Sequence, residues 1–206
     1  MQLRELIPSW PKFVSDNFSY LKQFVKTPVH SIKSLPDWNW LEMAVLLLVF
    51  SVASGLTAGA VAKSFTQILA GIFLLPISSL FFCAFTVAVI YYFSFFVLKR
   101  DLNLKKLSTV VLLSSLPSLI FHPLVNFFPP VFFIGFLLSL AVIGVGVHHH
   151  FMIEKKHIYR ISGIIFMVVL GIWITQQISE FQRKDVLESI TNPESLDILE
   201  RELKGK

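Results

Sequence analysis

"LEMAVLLLVFSVASGLTAGAVA", Leu41 to Ala62, is 22 residues long and carries one ionisable group, Glu42, near its start. A helix needs about 20 apolar residues to cross the hydrocarbon of a bilayer. This run is long enough, and its only close charges, Glu42 and Lys63, bracket it where side chains can reach the interface. Ser51, Gly55 and Gly59 recur at intervals of four. Small residues on one helix face let another backbone approach, so these three are expected to form a helix-packing face.

Four more stretches qualify on either side of the next loops. Phe65 to Leu98 is too long for one upright span and contains Pro76. A proline removes a backbone donor and kinks or starts a helix. The span proper is therefore expected at about 73–98, with 64–72 as an interfacial lead-in or the first turns of a bent helix. The third span is expected from Leu107 to Val125, kinked at Pro117, and the fourth from Val131 to Val147. "NFFPP", 126–130, is the tight turn between them. The fifth runs from Ile158 to Ile178. Composition agrees: 54% of the 206 residues are hydrophobic and 15% charged, against about 25% charged in soluble domains. The fold class expected is all-α, a polytopic five-helix transmembrane bundle. Residues 1–40 form an N-terminal arm, 41–178 the spanning domain, and 179–206 a charged amphipathic tail.

Basic residues set the orientation. With the N-terminus inside, segments 1–40, 99–106 and 151–160 hold 12 of the 18 Lys and Arg, and the outside segments hold 6. The expectation is an integral protein of a bacterial cytoplasmic membrane, N-terminus inside and C-terminus outside. No early apolar core of the kind found in signal peptides precedes the first span.

The arm carries Val14, Phe18, Leu21 and Val25 at spacings of four, three and four, flanked by Phe13 and Phe24, with Lys12, Lys22 and Lys26 on other faces. That pattern suits an interfacial helix on an anionic inner leaflet, and equally a helix packed on the protein's own loops. In "TPVHSIKSLPDWNW", 27–40, Thr27 can cap a short helix with Pro28 in its first turn, and Pro36 ends it. Trp38 and Trp40 precede the first span, where indoles favour the headgroup zone. In the tail, Asn192, Pro193 and Glu194 are suited to start a helix whose face carries Leu196, Leu199 and Leu203.

His148, His149 and His150 end the fourth span. Successive helical residues project about 100° apart, so the three cannot converge on one ion from a regular helix. The reading is a polar interfacial belt, and no metal or cofactor is expected. The lone cysteine, Cys83, excludes an intrachain disulfide and Cys-based metal cages. No nucleophile–base arrangement, phosphate-cradling loop or nucleic-acid signature is present. No Asp, Glu, Lys or Arg falls at mid-depth in a span, which weighs against ion-coupled transport. Only Ser51, Ser54, Thr57, Ser78, Ser79, Ser114 and Ser115 could line a polar groove for a lipid or solute.

Three stretches together, "TPVHSIKSLPDWNW", "LKRDLNLKKLSTVVLLSSLPSLI" and "LAVIGVGVHHHFMIEKKHIYRISGIIF", resemble the Yip domain, the Ypt/Rab-interacting family, in its compact bacterial form. The likeness covers about residues 20–178. The aspartate-leucine-tyrosine-glycine-proline motif of eukaryotic members is missing from this sequence. The resemblance implies a non-enzymatic integral membrane protein. The amphipathic arm, the packing glycines, the charged tail and the absence of a reactive cluster lead to the expectation of a membrane-embedded scaffold or adaptor that binds the lipid surface and either a protein partner or a second copy of itself. The competing expectation is a small lipid or solute transporter or scramblase.

Overall fold

The computed structural model describes residues 10–191, with side chains from 17 to 179 apart from Gln177. The described residues are all-helical. In chain order they form α1 (Trp10–Lys26), α2 (Pro28–Ser31), α3 (Trp40–Val61), α4 (Phe65–Phe96), α5 (Leu104–Phe121), α6 (Val131–Phe151) and α7 (Lys155–Thr191), with a 3-10 segment His122–Asn126 after α5. Among the described residues, five helices are long and apolar enough to cross a membrane. The protein is therefore an integral membrane protein of the helical-bundle class. The chain divides into a unit ending at Ser162, which contains α1 to α6 and the first turns of α7, and a unit from Gly163 onward, formed by the rest of α7.

Helix starts follow capping chemistry. Asn39 accepts from the Glu42 amide at 2.8 Å, and the Glu42 carboxylate accepts from the Asn39 amide at 2.8 Å. This reciprocal box satisfies two amides that the first turn leaves open, and it assigns Glu42 a structural role. Ser64 and Asn103 cap α4 and α5 by the one-sided version of this bond, their side chains accepting from the Gln67 and Lys106 amides. Thr27 differs from the sequence expectation. Its hydroxyl donates back to the Gln23 carbonyl at 3.2 Å and does not cap α2, and α2 ends at Ser31, five residues before Pro36.

α4 is one continuous helix of 32 residues with Pro76 inside it. Of the two readings of 64–72, the structure has the second, the opening turns of the same helix. They do not lie free at an interface, because they pack on α3. A Cβ built on Gly55 would fall 2.4 Å from the Gly71 Cα, and one on Gly59 would fall 2.6 Å from the Ile68 backbone nitrogen. Ser51, Gly55 and Gly59 are all buried. The small-residue face of α3 is thus filled from within the chain by the start of α4.

α5 and α6 form the other close pair. Gly135 faces Phe121 and Ser118, and Ser139 accepts a hydrogen bond from the Ser118 amide at 3.2 Å. Ser118 directly follows Pro117, where the proline disturbs the helical ladder and a neighbouring hydroxyl provides an acceptor. α3 reaches α5 through Ser54, which donates to the Leu119 carbonyl at 2.7 Å. Asn126 donates to the Ala58 carbonyl at 3.0 Å. Ile90, Leu107, Val110, Leu113 and Leu116 are at most 1% exposed and form the centre of the unit.

α7 continues without a break to Thr191. The sequence between Ile178 and Thr191 is polar but holds neither Pro nor Gly, so nothing stops the helix where the composition changes. The cap expected at Asn192 and the leucine face beyond it lie outside the described residues. A Cβ on Gly163 or Gly171 would meet nothing within 4 Å among the described residues.

Candidate functional site

The three segments with most of the basic residues meet at one end of the first unit, and the arm caps that end. The arm does not sit there by charge alone. Phe24 is 1% and Ile32 0% exposed. Ile32 is inserted between α5 and α6, where a Cβ on Gly146 would meet Val110 Cγ1 at 2.7 Å and Ile32 Cγ1 at 3.0 Å. Gly146 is therefore the seat of the arm.

Polar bonds fix the rest. His150 shares a hydrogen bond of 2.9 Å between Nε2 and the Ile32 carbonyl. The Tyr20 hydroxyl donates to the Ser31 carbonyl at 2.9 Å, and burial pushes its pKa up to about 12. Lys105 reaches Asp37 at 2.6 Å, and this contact holds the carboxyl below its usual range. The Asp37 side chain is 95% exposed, so the pair is an open, salt-screened tie.

Trp38 corrects the expectation of a headgroup anchor. It is 4% exposed, its indole N–H donates to the Asn17 side chain, and its ring meets Tyr20 edge-on at 5.9 Å. The indole has found both an apolar pocket and an acceptor inside the protein, which removes its reason to seek the interface. Trp40, by contrast, is 55% exposed and remains free to act there.

The arm's stripe divides on folding. Leu21 and Phe24 turn inward, while Phe18 (67% exposed), Val25 and Val29 face outward beside Lys22, Lys26 and Lys33. The side chains of Phe13 and Val14 lie outside the described set. One face of the arm is thus packed on the protein, and the other is left apolar and basic.

The histidine run stays helical to Phe151, with no unwinding at Gly144 or Gly146. His148 Nδ1 pairs with the Ile153 carbonyl at 2.8 Å, His150 pairs with Ile32, and His149 is exposed and meets the His150 ring edge-on. The three imidazoles go to separate places, two of them closing loops. Among the described residues no group of three or more His, Cys, Asp or Glu is placed to hold a metal ion.

The hydroxyls proposed for a groove are dispersed. Ser51, Ser54 and Ser114 are buried, while Thr57 and Ser78 are exposed. Ser51, Thr57, Ser78 and Ser115 each donate to a carbonyl of their own helix. Buried hydroxyls of Thr86, Ser94 and Ser114 have no partner among the described residues.

The loop 97–100 folds back on α4, where the Arg100 amide donates to the Ser94 carbonyl at 3.1 Å. Lys99 supplies a left-handed turn, φ 53°, and Met152 a second, φ 51°. The Arg100 guanidinium then donates to the Met152 carbonyl at 3.2 Å, which joins the 99–101 and 152–154 loops. Comparison with protein-family models, curated proteins and solved structures finds no match for this chain.

Proposed function

We propose that this protein is a non-enzymatic, membrane-embedded scaffold that holds an amphipathic arm at the lipid surface. The observation that carries this reading is the two-faced arm. Leu21, Phe24, Ile32 and Trp38 lock one side of it to the bundle. Phe18, Val25 and Val29 are left outward among Lys22, Lys26 and Lys33. An exposed apolar face rimmed by lysine suits an anionic leaflet. The convergence of the three basic segments at one end supports an orientation with that end and the N-terminus in the cytoplasm of a bacterial cell. The resemblance to the compact Yip domain supports the same class, with a protein partner or a second copy recruited by the scaffold and no role for nucleic acid. The division of the hydroxyls between buried and exposed positions favours this reading over the transporter.

The test places an environment-sensitive fluorophore on Phe18→Cys in a Cys83→Ala background, with the full chain in nanodiscs. The expected result is a blue shift on including phosphatidylglycerol that is absent at Lys33→Cys. A water-like signal at position 18 in every lipid overturns the surface reading. Mild-detergent purification with identification of bound proteins and lipids addresses the partner, and a solute held within the spans would favour transport.

A further inference from the structure

Arg160 lies five residues into α7, a helix long and apolar enough to span the membrane, so it sits about 7.5 Å along the helix from Lys155. It is exposed and has no hydrogen bond or ion pair among the described residues. A guanidinium at that depth needs an anionic partner or a path back to water. His157, one turn earlier on the same side of α7, packs its ring against Phe93 of α4 at 6.3 Å. Its Nδ1 is buried with no partner. The Arg100 backbone is bonded to Ser94, the residue after Phe93. Its guanidinium reaches Met152 with one nitrogen and keeps other donors open. Arg100 and His157 therefore meet where the inner ends of α4 and α7 and two loops come together, and Arg160 follows three residues further along α7. Two exposed carboxylates lie nearby, and neither is paired with an arginine among the described residues. Asp101 accepts from the Tyr91 hydroxyl at 3.2 Å, and Glu154 lies 3.9 Å from His157 Nε2.

We propose that this corner binds the headgroup of an anionic phospholipid, with Arg100 and Arg160 holding the phosphate. Planar guanidinium forks match phosphate oxygens in pairs. Basic pockets between spanning helices at the cytoplasmic side suit such headgroups. Exposed Phe96 and Val97, at the end of α4 beside Phe93, border the corner and offer apolar surface to the acyl chains. A free phosphate would satisfy the charges and leave that surface bare, so the lipid is the occupant chosen. The site is separate from the outward face of the arm, and the two can fail independently.

The experiment measures thermal unfolding of the full-length protein in mild non-ionic detergent against added short-chain phosphatidylglycerol, phosphatidylcholine or inorganic phosphate. Phosphatidylglycerol should raise the unfolding temperature of the wild type saturably, and the other two should not. Arg100→Gln with Arg160→Gln should raise the half-saturating lipid concentration at least tenfold. Lys22→Gln with Lys26→Gln should leave it unchanged. If the double arginine variant does not fold, Arg160→Gln alone, which breaks no bond of the fold, carries the same expectation. Undiminished stabilisation of the arginine variants by phosphatidylglycerol overturns the proposal. So does an equal effect of inorganic phosphate on the wild type.

Discussion

Gly55 and Gly71 meet backbone to backbone: a Cβ on Gly71 would lie 2.5 Å from the Gly55 carbonyl carbon, and one on Gly55 2.4 Å from the Gly71 carbonyl oxygen. Backbone atoms cannot rotate aside as a side-chain end can. Gly55→Ala and Gly71→Ala are therefore each expected to destabilise by about 1–3 kcal/mol, and Gly55→Leu and Gly59→Leu by more. Gly163→Ala and Gly171→Ala meet open space and should keep or gain up to about 1 kcal/mol from helix propensity. Denaturant unfolding of the four alanine variants in one detergent compares them. Equal stability of Gly71→Ala and Gly171→Ala would mean that α3 and α4 do not touch there.

Ser139 does two things at the α5–α6 contact. It donates to the Gly135 carbonyl at 3.0 Å and accepts from the Ser118 amide at 3.2 Å. Ser139→Ala should cost about 1–3 kcal/mol, because the amide following Pro117 loses its acceptor in a half-buried place. Ser139→Thr keeps the acceptor but adds a methyl against close-packed backbone, so it should also destabilise. A Ser139→Ala protein with wild-type unfolding would remove the amide from the account.

Much of this architecture was legible because hydropathy and proline placement report directly on what a bilayer demands. The five spans and the packing role of Ser51, Gly55 and Gly59 follow from that. The partner of that face did not. Gly71 sits in a stretch that length and Pro76 seemed to separate from the span, and a proline within a long helix does not have to break it. Gly135 and Ser139 repeat the four-residue small spacing and could have been found by the same rule. Trp38 was misread because position beside a span is only a statistical cue, whereas its burial depends on Asn17 and Tyr20 more than 15 residues away. The two faces of the arm were beyond periodicity alone, since both are apolar and only tertiary contact tells them apart.

Ile32 is the residue on which arm docking turns. Ile32→Ala removes a wholly buried side chain from the seat formed by Gly146 and Val110, a loss of about 2–5 kcal/mol if the arm cannot settle inward. Most of it should appear as release of the arm, because α5 and α6 also meet directly, Val110 against Gly146 and Ser118 against Ser139. Limited proteolysis should show faster cleavage around Lys33, with little change in the unfolding of the spans. Cleavage at the wild-type rate would show that the arm is held elsewhere.

Alkaline pH offers a second way to release it. Burial raises the Tyr20 pKa from 10.0 to about 12, so folding favours the neutral phenol. The stabilisation is complete below the unfolded pKa, near 10, and is lost as pH rises through about 12. Arm cleavage should therefore accelerate across that window by more than lysine titration alone explains. Tyr20→Phe, which lacks the phenol and its bond to Ser31, should start looser and lose that part of the pH dependence. Parallel profiles for the two proteins would exclude Tyr20 as the cause.

The histidines can be separated by what each one holds. His149 is exposed and closes no loop, so His149→Gln should be silent. His150 anchors the Ile32 carbonyl, and His150→Phe should loosen the arm by about 1 kcal/mol, the usual net value of such a bond. His150→Gln keeps an amide donor and should recover part of that. His148→Ala should act on the 152–154 loop through Ile153 and leave the arm's cleavage rate alone. Because the imidazoles serve different carbonyls from a helix that does not unwind, the triple glutamine variant should respond to zinc as the wild type does, without a stabilising shift. Elemental analysis of tag-free protein gives the decisive reading. Stoichiometric zinc in the wild type, lost in the triple variant, would mean that the imidazoles leave His148–Ile153 and His150–Ile32 to converge on an ion, and the separate-anchor account would fall.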